Sequence, residues 1–440
     1  MTSKTTSSPK EAYVWIWLPG EVEPVVAGLL SQSIDGSNVS LDFNYGQSYL
    51  KRKNAISIYT PELPLREGII APAGSLAGCL RDGAPDAWGR RVIINKITGK
   101  KGGDAAAVEL SELTFMLESG SDRIGALDFQ ISPVKYVPRV AGNATLEQLM
   151  TSAEMIEQGI ELPIELRQAI QHGSSIGGAR PKAMIEGDAH KYVAKFSSTN
   201  DLYSVVKAEF IAMRLTQLAG LDVSHVELKN VAGKDVILIE RFDRTRTEKG
   251  WTRRAMVSAL TILGLDEMTP HYASYEDLAQ AIRLHFIKPK ETLRELYSRM
   301  TFNILVGNTD DHARNHAAFW DGSQLELTPA YDICPQSRVG GEATQSMSIY
   351  GQDKFSRIEL CLKARNQFML SLQDAISIVE HQIKVIADRW NEVCSEANIN
   401  AVDKELFMGR QFLNPYAFYG LPDEASHLQQ IAGACLNRNG

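Results

Sequence analysis

One polar segment in the second half of the chain constrains the fold most, because it interrupts an apolar helical run. Residues 302–333 read FNILVGNTDDHARNHAAFWDGSQLELTPAYDI. The apolar run ends at Gly307, a typical helix stop, and a polar loop follows. Two strand-like stretches, 316–320 and 325–328, enclose the turn sequence Asp-Gly-Ser-Gln and predict a hairpin. A hairpin folds the chain back on itself, so the residues before and after it should lie close together.

Oxygen-bearing side chains flank this predicted hairpin. Asn315 precedes it and Asp332 follows it, and paired strands lie about 5 Å apart. Amide and carboxylate oxygens, together with phosphate oxygens, suit Mg²⁺. Asp310 lies on the preceding loop, where it could accept a hydroxyl proton, and its spacing to Asn315 favours it over the neighbouring Asp311. The Asp-x4-Asn spacing followed by a later Asp is typical of a kinase catalytic loop. The alternative is an ordinary polar loop before a surface hairpin, since Asp and Asn are common turn residues.

A Gly/Ser-rich turn lies upstream, where residues 172–185 read HGSSIGGARPKAMI. Gly177 and Gly178 leave backbone N–H groups accessible to phosphate, and Arg180 and Lys182 add positive charge. The spacing matches neither the Walker pattern nor Gly-x-Gly-x-x-Gly. Taken alone, the segment favours a structural hairpin turn over a phosphate loop.

A strand lysine, a helix glutamate and an apolar strand exit follow in that order. Lys195 lies in the alternating sequence KYVAKF, and Glu209 follows on a predicted helix. Kinases use such a pair to hold the ATP phosphates. VILIERFDR at 236–244 leaves an apolar strand through a polar corner, where the backbone from Glu240 to Phe242 could bond an adenine edge. Each feature has a structural alternative, but their order is that of a kinase-like nucleotide site.

Composition narrows the class of protein. The 440 residues are 44% hydrophobic and 22% charged, which is ordinary globular composition with material for about two or three domains. A net charge of −7 argues against binding nucleic acid through the whole surface. The five cysteines are scattered and form no Cys-x2-Cys pair, so we expect a reducing cytosol. We find no signal-peptide core and no stretch near the ~20 apolar residues of a membrane span, so we expect a cytoplasmic protein without membrane contact.

The pattern of strand and helix signals predicts an α+β fold. A small β-rich unit opens the chain, strands and helices then alternate, and helices dominate beyond residue 251. We therefore predict a β-rich subdomain at 12–135, an α/β nucleotide-binding lobe at 136–248 and a helical lobe with the catalytic loop at 249–440. The clearest helix is predicted at 372–394, with a capping-box start.

Several of these motifs together resemble those of HipA-type serine/threonine kinases, the toxins of bacterial HipA–HipB toxin–antitoxin modules. The motifs are SSIGGARPK, IERFDR, NTDDHARN and LTPAYDI, with LRDGAPDAWGRRVI and LESGSDRIGALDF as the connecting segments. The resemblance covers most of the chain. It implies a protein-kinase-like two-lobed fold and ATP- and Mg²⁺-dependent phosphorylation of a protein serine or threonine. It also implies an aminoacyl-tRNA synthetase as target and a HipB-like DNA-binding antitoxin as partner, with DNA contacted only through that partner.

The resemblance also implies roles for individual residues. Asp310 is the catalytic base, and Asn315 and Asp332 ligate Mg²⁺. Ser175, or its neighbour Ser174, is the serine that such kinases phosphorylate on themselves, which shuts them off by ejecting the loop. The residues assigned to ATP are Gly177, Gly178, Ala179, Arg180, Pro181, Lys182, Lys195, Glu240, Arg241, Phe242 and His312. The family often has Gly-Ala-Gln-Glu-Lys where this chain has Gly-Ala-Arg-Pro-Lys, and proline removes one backbone donor.

Two other functions stay open from the sequence. A metal-dependent hydrolase could be built on Asp310, Asp311, His312 and His316, since the two histidines have i, i+4 spacing. An inactive kinase-like fold could act only as a partner of a DNA-binding antitoxin. The basic run at 244–254, RTRTEKGWTRR, is predicted to be a solvated loop, with contact to DNA or an acidic partner as the alternative.

Overall fold

The computed structural model describes residues 9–36, 38–98, 110–140, 144–158, 160, 162–163, 166, 175, 180–198, 201, 203–338 and 341–439. The strands are β1 (Glu11–Ile16), β2 (Val25–Asp35), β3 (Asn38–Tyr45), β4 (Ile69–Ile70), β5 (Leu127–Gln130), β6 (Lys182–Glu186), β7 (Lys191–Phe196), β8 (Val226–Val231), β9 (Lys234–Glu240), β10 (Arg244–Thr247), β11 (Gly250–Arg253), β12 (Met256–Ser258), β13 (Ala317–Trp320) and β14 (Leu325–Leu327). The α-helices are α1 (Gln47–Leu50), α2 (Gly78–Arg81), α3 (Ala87–Thr98), α4 (Glu112–Glu118), α5 (Leu146–Glu157), α6 (Val205–Leu218), α7 (Ala259–Ile262), α8 (Tyr275–His285), α9 (Pro289–Leu305), α10 (Ile358–Ala364), α11 (Leu372–Glu396), α12 (Ala401–Phe407) and α13 (Ser426–Asn439).

The described residues form two compact units. The first unit draws on Met1–Thr199, Asn230–Val257 and Phe319–Ser323, and the second on Asn200–Lys229, Ser258–Ala318 and Gln324–Gly440. Sheets and helices are both present, so the predicted α+β class is confirmed. Each unit is assembled from separate stretches of chain, and the three consecutive domain ranges stay a prediction. In the described part of the chain, no helix is long and apolar enough to cross a membrane.

An antiparallel sheet of order β4-β3-β2-β1-β5 carries the N-terminal part of the first unit. Glycine is required at Gly28, because a Cβ there would lie 2.3 Å from the Asn44 carbonyl oxygen. Beyond β5, the ring of Tyr136 packs against Trp15 and Trp17, with ring centroids 5.4 and 5.5 Å apart. These contacts fasten the connector after β5 onto the sheet.

A second sheet, of order β6-β7-β9-β8, carries the predicted phosphate-binding lysines. Its buried apolar residues pack with those of α3 and α5 in one core. Trp88 on α3 is fully buried, and its Nε1 donates to the Lys182 carbonyl at 3.0 Å. The start of β6 is therefore held by a helix rather than left as a free loop edge.

Helix α11 organises the second unit. The Ser371 hydroxyl accepts from the Asp374 N–H at 3.0 Å, which begins the helix as the capping pattern predicts. Its apolar stripe, which includes Ile376, Ile383 and Trp390, is buried, and the helix packs against α6, α9 and α13. The predicted core helix at 372–394 is confirmed.

The first unit also contains a buried network of ion pairs, which we call the arginine–aspartate cluster. Its members are Asp122, Arg123, Asp128, Arg241, Asp243 and Arg244. Arg241 Nη2 lies 2.8 Å from Asp243 Oδ2, and Arg244 Nη1 lies 2.9 Å from the same oxygen. The Gly125 N–H also donates to that oxygen, at 2.7 Å. Residues far apart in the sequence are thus joined by charge rather than by apolar packing.

The prediction that 244–254 is a solvated loop is wrong in its conformation and at Arg244, whereas residues 245–249 and Arg254 are exposed. The run forms the β10–β11 hairpin, and Arg244 is buried in the arginine–aspartate cluster. Arg253 lies 3.4 Å from the centre of the Trp17 ring and donates to the Ser121 carbonyl at 2.8 Å. Arg254 lies 3.3 Å from the centre of the Phe319 ring. Guanidinium groups stack on aromatic faces and are only weakly hydrated, which lets them be buried where lysines would not be.

Asp243→Asn tests how strongly the cluster stabilises the first unit. The change leaves Arg241 and Arg244 buried beside a neutral amide, and breaking a buried ion pair in this way costs about 3–5 kcal/mol. We expect the free energy of unfolding in urea to fall by that amount. The control is Glu118→Gln, which breaks the exposed Lys96–Glu118 pair of 3.1 Å and should cost less than about 1 kcal/mol. Equal losses in the two variants would contradict the assignment.

The cluster also fixes the sign of a pH dependence. Burial alone would raise the pKa of Asp243, but Arg241 and Arg244 outweigh it, so the pKa lies below its usual range. The stabilisation is therefore complete above the unfolded pKa of about 3.9 and is lost as pH falls through the lower folded pKa. Asp243→Asn should flatten the acid side of the stability profile below about pH 4.

Candidate functional site

The candidate site in the second unit begins where α9 ends. Gly307 follows the helix with φ +72°, and a Cβ there would lie 2.6 Å from the Gln411 carbonyl oxygen. The next N–H, that of Asn308, donates back to the Asn303 carbonyl at 2.8 Å. Glycine is thus required both for the backbone conformation and for the close approach of Gln411. This turn directs the loop that carries Asp310.

The loop brings Asp310 and Asn315 together. Asn315 is buried, and its Nδ2 donates to the Asp310 carbonyl at 3.1 Å. Its backbone N–H donates to the His312 carbonyl at 2.8 Å. The amide nitrogen is thus occupied within the loop, so the oxygen Oδ1 is what Asn315 can offer to a cation. Residue 310 as a whole, in contrast, is exposed, while the Asp310 carboxyl group is partly shielded from water.

Asp332 returns to the same loop after β13 and β14, as the predicted hairpin requires. The preceding Tyr331 donates its hydroxyl to the Arg314 carbonyl at 2.7 Å, and Asn308 Nδ2 lies 3.4 Å from the Asp332 carbonyl oxygen. Asp332 has φ +59°, a left-handed conformation that is uncommon for residues other than glycine. Such strain is often found at functional sites.

The negative charge of Asp332 acts on the Asp310 carboxyl. Partial burial raises the pKa of Asp310, His312 opposes that shift, and the negative charge of Asp332 raises the pKa further. Carboxylates that raise each other's pKa, together with the amide oxygen that Asn315 can offer, are a donor set that a hard divalent cation would stabilise. The residues present therefore fit Mg²⁺.

Asp311, the neighbour of Asp310, is buried, and its carboxylate is hydrogen-bonded within the interior. It accepts hydrogen bonds from the Tyr275 hydroxyl and from Asn303 Nδ2, the latter at 2.7 Å, and His316 Nε2 lies 3.2 Å away. Burial alone would raise the pKa of Asp311, but His316 and these hydrogen bonds lower it. Sequence patterns did not point to either donor, because Tyr275 lies 36 residues before Asp311 and Asn303 lies within the preceding helix.

These contacts weigh against a protein-only metal centre. His316, one of the ligands of the predicted hydrolase, is paired with Asp311. Within the described ranges, no group of three or more His, Cys, Asp or Glu side chains is placed to hold a metal ion. A cation at Asn315 and Asp332 would need further oxygens from a ligand, as in a nucleotide complex.

In the first unit, Lys195 and Lys182 face each other across the β6–β7 pair. Both are buried, each with 7% of its surface exposed. Two positive charges on neighbouring strands would attract a phosphate group bound near both. The position fits the predicted phosphate-binding role, which stays a prediction.

The predicted adenine-binding residues lie at the end of β9 in the first unit. The Glu240 carboxylate lies 2.6 Å from His190 Nδ1. The Arg241 side chain belongs to the arginine–aspartate cluster, and its N–H donates to the Lys191 carbonyl at 2.8 Å. The Phe242 ring packs edge-on against Phe319. These side chains therefore already make contacts within the first unit. An adenine would have to be bound by the backbone groups that remain available.

The described residues of the Gly-rich segment belong to the first unit. Ser175 is buried, and its hydroxyl donates to the Asp122 carbonyl at 3.1 Å. The Pro181 carbonyl accepts from the Phe196 N–H at 3.1 Å, which extends the pairing of β6 with β7. Arg180 is half-buried. Ser174, Gly177, Gly178 and Ala179 lie outside the described residues.

Comparison with known proteins gives consistent matches. Residues 174–392 match the family model of the HipA-like C-terminal domain. The chain is similar to the serine/threonine-protein kinase toxin HipA of Shewanella oneidensis, with 26% identity over 244 residues, which are 49% of this chain and 54% of that protein. The chain spans little more than half the length of the curated relatives it matches.

A solved structure matches over nearly the whole chain. It belongs to the Shewanella oneidensis MR-1 complex of HipA, HipB and operator DNA, with a TM-score of 0.62 and 17% identity. The match covers 97% of this chain and 96% of that one. At this identity the likeness shows the fold alone.

Gly307→Ala tests the turn that directs the loop. The change adds positive-φ strain and a 2.6 Å approach to the backbone of Gln411. The matched control is Gly220→Ala, which occupies the equivalent position after α6 with φ +81° and has no atom within 4 Å of an added Cβ. We expect the control to cost about 1–2 kcal/mol from backbone strain alone.

Gly307→Ala should lower the free energy of unfolding by clearly more than the control, because the Gln411 backbone cannot move aside cheaply. Urea titration of both variants measures the difference. Equal costs would show that the close approach places no constraint on this turn.

Proposed function

The chain is a HipA-type protein, and on that premise we propose that it is an ATP- and Mg²⁺-dependent protein serine/threonine kinase that acts as the toxin of a toxin–antitoxin pair. One observation carries the proposal. In the second unit, the loop after α9 ties Asn315 to the Asp310 carbonyl and leaves Asp310 exposed, under the influence of the Asp332 charge, while the neighbouring Asp311 is buried. An exposed base next to a cation-binding pair is the arrangement that phosphoryl transfer needs.

In this proposal, Asn315 Oδ1 and the Asp332 carboxylate hold Mg²⁺. When bound, the ion neutralises charge on the nucleotide phosphates. Asp310 orients the acceptor hydroxyl and takes its proton, and its raised pKa makes it a stronger base than an ordinary aspartate. Lys195 and Lys182 bind phosphate oxygens from their buried face of the sheet. The protein's part is positioning and charge neutralisation.

Ser175 is proposed as the site of autophosphorylation. Its hydroxyl donates to the Asp122 carbonyl and is buried, so the residue has to leave this position before it can accept a phosphoryl group. A phosphate carries close to two negative charges and would not re-enter the same hydrogen bond as a donor. Modification would therefore hold the segment away from its described position.

The partners are proposed from the relatives. The solved Shewanella complex contains HipB and operator DNA, so we propose a HipB-like antitoxin for this chain, with DNA contacted only through it. The sequence resemblance adds an aminoacyl-tRNA synthetase as the protein substrate and the cytoplasm as the place of action. The hydrolase alternative is not proposed, because His316 is paired with Asp311.

Asp310→Asn should abolish phosphoryl transfer without unfolding the protein. The exposed carboxylate makes few internal contacts, and losing a general base costs about 10²–10⁴ in rate. Incubation with labelled ATP and mass mapping of the phosphosites measure the effect. Asp388→Asn, a change at an exposed aspartate on α11, is the control and should retain wild-type rates.

Wild-type rates in Asp310→Asn would overturn the assignment of the base. A wild-type protein that binds ATP without turning it over, while its serines remain unphosphorylated, would favour the inactive binding partner.

Ser175→Ala should remove the phosphate that intact-mass analysis detects after incubation with ATP, whereas Ser174→Ala should retain it. The Ser175 variant also loses one hydrogen bond, which should lower the free energy of unfolding by about 0.5–1.5 kcal/mol. A phosphate that survives in Ser175→Ala and disappears in Ser174→Ala would move the site by one residue.

A further inference from the structure

Asp311 is a buried carboxylate that has no role in the proposed mechanism. Its carboxylate is buried, with 2% of the residue exposed, and an ionised carboxylate away from water is costly unless donors surround it. Those donors come from three places: Tyr275 at the start of α8, Asn303 near the end of α9 and His316 just before β13. Asp311 is thus nearly inaccessible to solvent and also connects the loop to α8 and α9.

The contact between Asp311 and His316 spans the loop. The two residues are five apart, the same separation as Asp310 and Asn315, and each lies next to one of them in the chain. The 3.2 Å contact between these buried residues therefore restrains both ends of the Asp-x4-Asn segment from the protein interior. The His316 carbonyl is itself anchored, since it accepts from the Ala259 N–H at 2.7 Å.

The network continues to the remaining predicted ligand. Asn303 donates to Asp311 through Nδ2 and accepts from Asn308 Nδ2 through Oδ1, at 3.0 Å. Asn308 Nδ2 in turn lies 3.4 Å from the carbonyl oxygen of Asp332, whose backbone is left-handed. One connected set of hydrogen bonds thus reaches the chain segments that contain Asp310, Asn315 and Asp332.

We propose that Asp311 is a positioning residue, which acts through Tyr275, Asn303 and His316 to hold Asp310 and the cation ligands in the geometry for phosphoryl transfer. This inference rests on the proposed kinase function. It predicts a defect in turnover that is larger than any loss of stability explains, because misplacing reacting groups by about 1 Å can cost about 100-fold in rate.

The test compares Asp311→Asn with a matched buried change that does not touch the loop. Thr301→Val lies on α9, two residues before Asn303, and removes a buried hydrogen bond of 2.9 Å to Gln382 Oε1. Both variants are compared with wild type at a temperature where urea titration shows all of them folded. The readouts are kcat and KM for ATP, and binding of Mn²⁺ in the presence of a non-hydrolysable ATP analogue, followed by electron paramagnetic resonance.

We expect Asp311→Asn to lower kcat by about tenfold or more and to weaken Mn²⁺ binding, with KM for ATP nearly unchanged. Thr301→Val should leave kcat and Mn²⁺ binding at wild-type values. The loss in Asp311→Asn combined with His316→Gln should be smaller than the product of the single losses, because both changes break the same contact. If Asp311→Asn does not fold, Tyr275→Phe removes one donor and keeps the ring, and it should show the same pattern to a smaller degree.

Unchanged kcat and Mn²⁺ binding in folded Asp311→Asn would overturn the inference, as would equal losses in Thr301→Val. Failure of the proposed function looks different, since the wild-type protein itself would then transfer no phosphate. In that case Mn²⁺ binding decides, and a wild-type protein that does not bind Mn²⁺ with the nucleotide analogue would overturn both.

Discussion

The buried carboxylate of Asp311 needs hydrogen-bond donors, and the shape of the loop after α9 follows from where those donors are. Tyr275, Asn303 and His316 meet that need, and the neighbouring Asp310 is thereby turned outward. The pKa values of the two adjacent aspartates are shifted in opposite directions. Burial opposes ionisation of Asp311, yet His316 and the hydrogen bonds lower its pKa, whereas partial burial and Asp332 raise the pKa of Asp310. Environments that separate the pKa values of paired carboxyl groups are a common basis for distinct roles in catalysis.

In the first unit, too, neighbouring charged residues shift the pKa of an aspartate. Asp122 joins the arginine–aspartate cluster through its carboxylate and holds the Ser175 hydroxyl through its carbonyl. The Arg241 and Arg244 charges lower the pKa of Asp122 well below its usual range, against its burial. The proposed phosphorylation site is therefore attached to a member of the arginine–aspartate cluster. A change in the charge of Ser175 would act directly on that environment.

Local patterns predicted the elements that depend on local signals. The stop at Gly307, the hairpin after Asn315 and the capped helix α11 follow from turn chemistry, strand alternation and helical periodicity, and each is observed. The stacking of Arg253 on Trp17 was missed, because a run of charges indicates a solvated loop and Trp17 is far away in the sequence. Tyr275, 36 residues before Asp311, was missed for the same reason. Sequence patterns could therefore predict the candidate site, which stays a prediction, but they could not predict the buried residues that hold its loop.

We propose that Asn315 and Asp332 hold a magnesium ion that a bound nucleotide shares. Calorimetric titration with a non-hydrolysable ATP analogue, in Mg²⁺ and then in a chelator, tests it most directly. The account predicts that Mg²⁺ strengthens binding to the wild-type protein and that Asp332→Asn removes most of this gain while the protein remains folded. Equal affinity of the wild-type protein with and without Mg²⁺, or a full gain in Asp332→Asn, would contradict it.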